Sequence, residues 1–168
     1  MSGGELPNTL KFATIWLVLG AIVFVGYEWR RHESMKTSFS ASGGIVEIKR
    51  SDDGHYHWPG KINGTSVDFL VDTGASGVAI PGELADKLGL VGEGSVRSST
   101  AGGSVVGSVV RADLVLDGGV RVDRLRMVAL PRLESPLLGM DVLGRLRWQQ
   151  RDGALRIDLG SGGGAVTP

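Results

Sequence analysis

One segment of the chain concentrates chemistry: Phe69-Leu70-Val71-Asp72-Thr73-Gly74-Ala75-Ser76. A carboxylate follows directly on an apolar run, and then come a hydroxyl, two small residues and a second hydroxyl. An apolar strand ending there holds Asp72 at the rim of a core, where few water molecules compete with its partners. Gly74 lets the chain turn sharply and present backbone N–H groups to the carboxylate. The Thr73 and Ser76 hydroxyls can bond locally and fix the loop. The same residues also suit an ordinary Asp-Thr-Gly turn at a strand end. His55 and His57 stand at i and i+2 on one face of a strand, but no third ligand candidate lies near them, so no metal site is expected. Arg121, Arg124, Arg126 and Arg132 read as a solvated face, as do Arg145, Arg147 and Arg151.

The elements that must position these residues are short strands. Val67, Phe69 and Val71 alternate with Asp68 and Leu70, which turns one face of Ser66 to Val71 toward a core and leaves Asp68 toward solvent. Asn63-Gly64 joins that run to Tyr56 to Ile62, a strong hairpin signal. Pro59 marks the earlier run as an edge strand or a bulge. Pro81 to Leu88 predicts a short helix, with proline in its first turn and Gly89 at its end. Ser104 to Val110 and Ala112 to Leu116 are β-prone, with Gly102, Gly103 and Gly107 breaking the first. Arg121 to Leu130 alternates again. Gly139 to Leu146 allows a short helix that Asp141 caps or opens, and an Asp152-Gly153 turn separates Trp148 to Arg151 from Ala154 to Leu159. The fold class is all-β, a small barrel with one or two short helices.

Composition narrows the function. With 18 basic and 18 acidic side chains in 168 residues, the chain lacks the basic surplus of a protein that binds nucleic acid by neutralising phosphates. The absence of cysteine removes disulfides, zinc ribbons and thiol nucleophiles. The 27 glycines, about twice the usual share of roughly 7%, point to many turns.

The ends divide the chain into five segments. After a short N-terminal segment, 1–9, residues 10–29 (LKFATIWLVLGAIVFVGYEW) carry charge only at Lys11 and Glu28. About 20 such residues in a helix span the roughly 30 Å hydrocarbon core, with Tyr27 and Trp29 at the interface. A cleaved signal peptide needs small residues after the apolar run, whereas Tyr27-Glu28-Trp29-Arg30-Arg31-His32 is bulky and charged. An uncleaved transmembrane helix is expected. The flanking charges, Lys11 against Arg30, Arg31 and Lys36, lean narrowly toward a cytoplasmic main domain. Residues 30–44, serine- and glycine-rich from Glu33 on, read as a flexible tether, residues 45–159 as the main domain, and 160–168 as a disordered tail.

Asp72-Thr73-Gly74-Ala75-Ser76 resembles the active-site motif of retropepsin-type aspartic proteases. Leu137-Leu138-Gly139 resembles that family's second signature, on a strand that passes close to the catalytic loop. The stretch from His55 to Leu159 is similar in particular to bacterial, membrane-anchored, retropepsin-like proteases: an Asn-Gly hairpin precedes the motif, a short helix follows it, and a Leu-Gly-Met segment comes near the end. The resemblance implies a small closed barrel of the acid-protease type, with Asp72 catalytic, Thr73, Gly74, Ala75 and Ser76 supporting its loop, and no cofactor or metal. It implies peptide-bond hydrolysis in which one carboxylate deprotonates a water and another protonates the carbonyl oxygen. Two such groups share a proton and titrate as a pair. Asp141, Asp152 and Asp158 lack a flanking Thr-Gly, and residues 45–159 suffice for one barrel, short of two lobes. The second Asp72 is therefore expected from a C2 homodimer, helped by the confinement of a membrane tether.

The resemblance also implies a flap over the substrate near Ser98 to Ser108, with Thr100, Ala101, Gly102 and Gly103 as its candidates. Its small residues suit a mobile lid, or an ordinary surface hairpin. The expected partners are a protein or peptide substrate, a second copy of the chain and the membrane, not nucleic acid. Similar bacterial proteins sit in the inner membrane with the protease domain outside the cytoplasm, which implies a single-pass, periplasmic placement against the flank charges. A cut within the tether, Glu33 to Gly44, is a further expectation. The rival reading is a non-catalytic module that uses the same fold for dimerisation or peptide binding; the complete Asp-Thr-Gly favours the enzyme.

Overall fold

The computed structural model describes residues 16–24, 39–42, 44–100 and 103–160. Two compact units are distinguished, 1–36 and 37–168. In the first, residues 16–24 form a helix, α1, on which Trp16, Leu17, Ile22, Val23 and Phe24 are exposed. Among the described residues no helix is long and apolar enough to cross a membrane. The rest of the expected span, 10–15 and 25–29, lies outside the described residues, as do 1–9 and 161–168.

The second unit is all-β with two short helices. Its strands are β1 (Phe39–Ser42), β2 (Ile45–Lys49), β3 (His57–Ile62), β4 (Thr65–Val71), β5 (Ala79–Pro81), β6 (Gly94–Thr100), β7 (Gly103–Leu116), β8 (Val120–Leu130), β9 (Leu137–Leu138), β10 (Arg147–Arg151) and β11 (Ala154–Asp158). The helices are α2 (Gly82–Lys87) and α3 (Met140–Leu143). One sheet runs β3-β4-β9-β5-β8-β7-β6, and pairing of β3 with β7 closes all of it except β6 into a six-stranded barrel. Strand β6 extends beyond the barrel as a hairpin with the first half of β7. A second sheet, β1-β2-β11-β10, sends Val46, Ile48 and Ile157 into the same core as the barrel residues.

The alternation in β4 gives the expected result: Val67 and Phe69 are buried and Asp68 is exposed. Asn63 (φ 47°) and Gly64 (φ 84°) make the tight turn into it, both in the left-handed region that a two-residue hairpin needs. Asp152 (φ 52°) and Gly153 (φ 73°) do the same between β10 and β11. Helix α2 begins after Pro81 and ends with Gly89 at φ 63°; the Leu90 N–H donates to Ala85 and the Gly89 N–H to Asp86, which satisfies the last carbonyls of the turn.

Three local expectations change. Pro59 does not mark an edge strand, since β3 has β4 on one side and β7 on the other. It sits instead where the β7 ladder stops, for the first β7 pair is Gly60 with Leu116, so no sheet donor is missed at the proline. Gly103 and Gly107 do not break a strand: β7 runs unbroken from Gly103 to Leu116. At Gly107 a Cβ would come 2.7 Å from the Ala129 carbonyl, so the bare backbone is what lets β8 lie close. Residues 39–42, within the stretch read as tether, form β1 against β2.

Trp58 ties the barrel together. Its side chain is fully buried, and its indole N–H donates to the Asp117 carbonyl at 2.8 Å, across to the end of β7. Trp58→Ala removes both the packing and this bond, and is expected to cost about 3–5 kcal/mol of stability, read as a lowered urea midpoint.

Candidate active site

Asp72 stands one residue past the end of β4, and its position is fixed by β9. The short strand β9 lies parallel to β4, Leu70 opposite Leu137 and Val71 opposite Leu138, and antiparallel to β5 at Ala79. The Leu70 N–H donates to Pro136 at 2.8 Å and the Asp72 N–H to Leu138 at 3.0 Å. The second apolar signature, Leu137-Leu138-Gly139, thus forms the support beside the Asp-Thr-Gly loop. Gly139 lies so close to the loop that a Cβ there would come 2.4 Å from the Gly77 carbonyl oxygen, nearer than any side chain permits. From its far side α3 completes the clasp: the Met140 N–H donates to Ala75 at 2.9 Å and the Asp141 N–H to Ser76 at 3.2 Å.

Within the loop, Asp72 Oδ1 accepts the Gly74 N–H at 2.8 Å, the interaction for which Gly74 was singled out. The Ala75 N–H donates to the Asp72 carbonyl at 3.3 Å. The Thr73 and Ser76 hydroxyls, expected to fix the loop, are exposed and make no hydrogen bond among the described residues. Backbone bonds hold the loop instead.

A cavity of about 930 Å³ opens over Asp72. Gly74 to Ala79 form one wall, and Arg97, Ser98 and Ser99 of β6 line it from the hairpin. The β6–β7 hairpin therefore occupies the expected flap stretch: Thr100 pairs with Gly103, and Ala101 and Gly102 lie outside the described residues. Arg124, Arg126 and Arg145, read from sequence as parts of solvated faces, line this cavity, as does Arg111.

Asp141 is the site residue that sequence reasoning undervalued. It opens α3 without capping it, since the cap position is Gly139 and no side chain bonds there. Its Oδ2 reaches back to accept the Val78 N–H at 3.1 Å, and its Oδ1 is buried without a hydrogen-bond partner among the described residues. Burial pushes the Asp141 carboxyl above the ordinary carboxylate range, against the opposing pull of the Val78 and Val142 N–H groups and of Arg145. The signal available in sequence was its setting, one acid inside the apolar run Leu137 to Leu143.

His57 has a different role from metal binding. Its Nε2 is 2.8 Å from Asp53 and its Nδ1 is 3.1 Å from Asp68, so both ring nitrogens are occupied by carboxylates. Partial loss of solvent raises the Asp68 carboxyl despite the His57 partner; in Asp53 the same effect is outweighed by the His55 N–H and by His57, and the carboxyl falls. This clamp fastens the 51–56 loop to β4, beside the bond from the Val71 N–H to the Tyr56 carbonyl at 2.9 Å. Among the described residues no group of His, Asp and Glu side chains has metal-binding geometry.

A closed six-stranded barrel, with an Asp-Thr-Gly loop clasped by an apolar-apolar-Gly strand under a hairpin, defines the retropepsin fold. A family profile described as aspartyl protease matches residues 58–142, and the chain belongs to that family. A crystal structure of a retropepsin-like aspartic protease from Rickettsia conorii superimposes with a TM-score of 0.55 at 25% identity, covering 72% of this chain and 95% of that one. An uncharacterized protein of Rickettsia prowazekii is 28% identical over 158 residues, 85% of this chain and 68% of that protein. An uncharacterized Sinorhizobium protein from the 5′ region of cobV is 30% identical over 118 residues, 67% of this chain and 51% of its own length. The chain thus spans about two thirds of the first relative and half of the second.

The half-buried Asp141 carboxyl gives a pH test with a definite sign. Because its value in the fold is raised, the protonated form is favoured there. The resulting stabilisation is complete below the ordinary carboxylate value and is lost as pH rises through the raised one. Relative to Asp141→Asn, whose amide does not titrate, the native chain should therefore lose stability as pH rises from the ordinary carboxylate value through the raised one. Chemical denaturation of both proteins across that range measures the difference; parallel profiles would refute the burial effect.

Proposed function

We propose that this protein is a membrane-anchored aspartic endopeptidase whose catalytic pair is Asp72 from each of two protomers. The observation that carries the reading is the setting of Asp72: a half-buried carboxylate at a strand end, braced by β9 and α3, in a cavity roofed by a hairpin. The loop face beside it is open, with Thr73 and Gly74 exposed, which suits the approach of a second copy about a two-fold axis. The two carboxyls, brought together there, share one proton because both cannot ionise easily. The ionised member takes a proton from a water, which attacks the peptide carbonyl carbon. The protonated member gives its proton to the carbonyl oxygen; the member that took the water proton then passes it to the amide nitrogen, and as the C–N bond breaks a hydroxyl proton of the tetrahedral species returns to the other carboxylate, releasing the amine and the new carboxylic acid. The Gly74 N–H on Oδ1 keeps the carboxylate oriented through these transfers. The β6–β7 hairpin acts as the flap that excludes water from the bound peptide.

Asp72→Asn should lower peptide cleavage by about 10,000-fold while the far-ultraviolet circular dichroism spectrum and the dimer are retained. Mixing a fixed amount of native protein with excess Asp72→Asn chains should depress activity as inactive mixed pairs form, which a monomeric enzyme would not do. Full proteolysis by the Asp72→Asn protein would rule the reading out.

The anchor in this proposal is the apolar segment 10–29, of which α1 is the described part, with the barrel in the periplasm of a bacterial cell. What supports it is the charge-free run 12–27 and the apolar side chains exposed on α1. A reporter enzyme active only outside the cytoplasm, fused after Leu159, should be active; an inactive reporter in a stably produced fusion would reverse the orientation.

A further inference from the structure

The cavity over Asp72 is basic: Arg97, Arg111, Arg124, Arg126 and Arg145 line it, against the two carboxylates Asp72 and Asp141. The chain as a whole is neutral, so this is a local concentration of charge and not a property of the surface at large. The arginines come from the hairpin (Arg97 on β6), from two neighbouring barrel strands (Arg111 on β7, Arg124 and Arg126 on β8) and from the turn after α3 (Arg145). Separate elements converging on one cavity with one side-chain type are hard to explain as solvation.

Two details show that the arrangement has a structural cost. Arg111 and Arg126 are directly opposite one another across the β7–β8 ladder, where like charges repel. Glu93 relieves Arg111 with a bond of 2.9 Å, but among the described residues no carboxylate pairs with Arg97, Arg124 or Arg126. Arg124, besides, has a left-handed backbone, φ 48°, at the irregularity where the β7–β8 register shifts between Ala112 and Leu114. That conformation is held from outside: the Arg124 N–H donates to Asp113 Oδ1 at 2.8 Å, and Asp113 is bonded in turn through its own N–H to Asn63 Oδ1 at 2.9 Å. A bulge re-aims side chains: Val120 and Val122 are buried, and past the irregularity Arg124 and Arg126, which the same alternation would have turned inward, are exposed and line the cavity.

We infer that the cavity selects acidic peptides, with Asp or Glu side chains flanking the bond placed at Asp72. The inference rests on the protease reading above and adds its substrate class. The ligand chemistry is that of carboxylates, which guanidinium groups engage through paired N–H donors. In the two-fold dimer each protomer supplies one such cluster, so acidic residues on both sides of the scissile bond are favoured. Because the arginines are exposed, the selection weakens as salt screens them.

The test uses the full chain and three fluorescence-quenched peptides of equal length that differ only in the flanking residues: glutamate, glutamine or lysine. The native protein should cleave the glutamate peptide with kcat/KM about tenfold above the glutamine peptide and the lysine peptide least. The order should compress between low and high sodium chloride. In Arg124→Glu/Arg126→Glu the preference should invert toward lysine; if that protein does not fold, Arg97→Glu on exposed β6 provides the same comparison. Binding of the three peptides to Asp72→Asn, followed by fluorescence anisotropy, should show the same order without turnover. Equal cleavage of all three by a native protein whose Asp72→Asn variant is inert would overturn the acidic selectivity and leave the protease reading standing. Ordered binding with no cleavage by the native protein would do the reverse.

Discussion

The site depends on one insertion: the two-residue strand β9 lying between β4 and β5. Strand β4 delivers Asp72 to a loop, and a loop alone would not hold a carboxylate in place. The Asp72 N–H bonds to Leu138, and Gly139 meets the Gly77 carbonyl at a distance no side chain would allow, so the loop is clamped on its backbone and not through its hydroxyls. Helix α3 continues the same clamp with two further N–H donors onto Ala75 and Ser76. Backbone bonds to buried strands are less easily lost than side-chain bonds at the surface, because water cannot replace them without opening the barrel. The exposed Thr73 and Ser76 hydroxyls are then left over, available to whatever meets that face.

A second consequence is the placement of Asp141. The same α3 that braces the loop carries an acid into it, where one oxygen accepts the Val78 N–H and the other is buried unpaired. Burying a carboxylate without full compensation is costly, and here the cost falls on the segment that defines one wall of the cavity. The energetic exception and the candidate catalytic loop are in direct contact, as is common where local rules yield to a site. The opposed pair Arg111 and Arg126 is a second exception of this kind in the cavity lining.

The rest of the second unit serves to keep this arrangement closed. Pairing of β3 with β7 removes the barrel's open edges, and the sheet of β1, β2, β11 and β10 extends the core through Val46, Ile48 and Ile157. Only β6 departs from the barrel, and its freedom is what lets a hairpin reach over the cavity from the side of the barrel. Strands β2 and β1 were absent from the sequence reading for an understandable reason. IVEIK alternates over five residues, too short to stand out, and FSAS has the composition of a linker until a partner strand satisfies its backbone.

Much of this protein was legible without coordinates. The Phe-Leu-Val run before Asp-Thr-Gly, the Asn-Gly and Asp-Gly turns, the Pro81 to Gly89 helix and the all-β class follow from local preferences, which act over a few neighbouring residues and are written in the chain. The pairing of Asp-Thr-Gly with Leu-Leu-Gly was legible only through its resemblance to a family, since nothing local says that residues 72 and 138 meet. What the tertiary structure decided is everything that depends on which strands become neighbours. It put Pro59 where a ladder ends, left Gly107 inside a continuous strand, turned Asp141 back onto Val78, and gathered arginines from β6, β7 and β8 around Asp72. Such contacts join residues far apart in sequence, and the charge or size of each residue alone does not specify its partner; the closed barrel does.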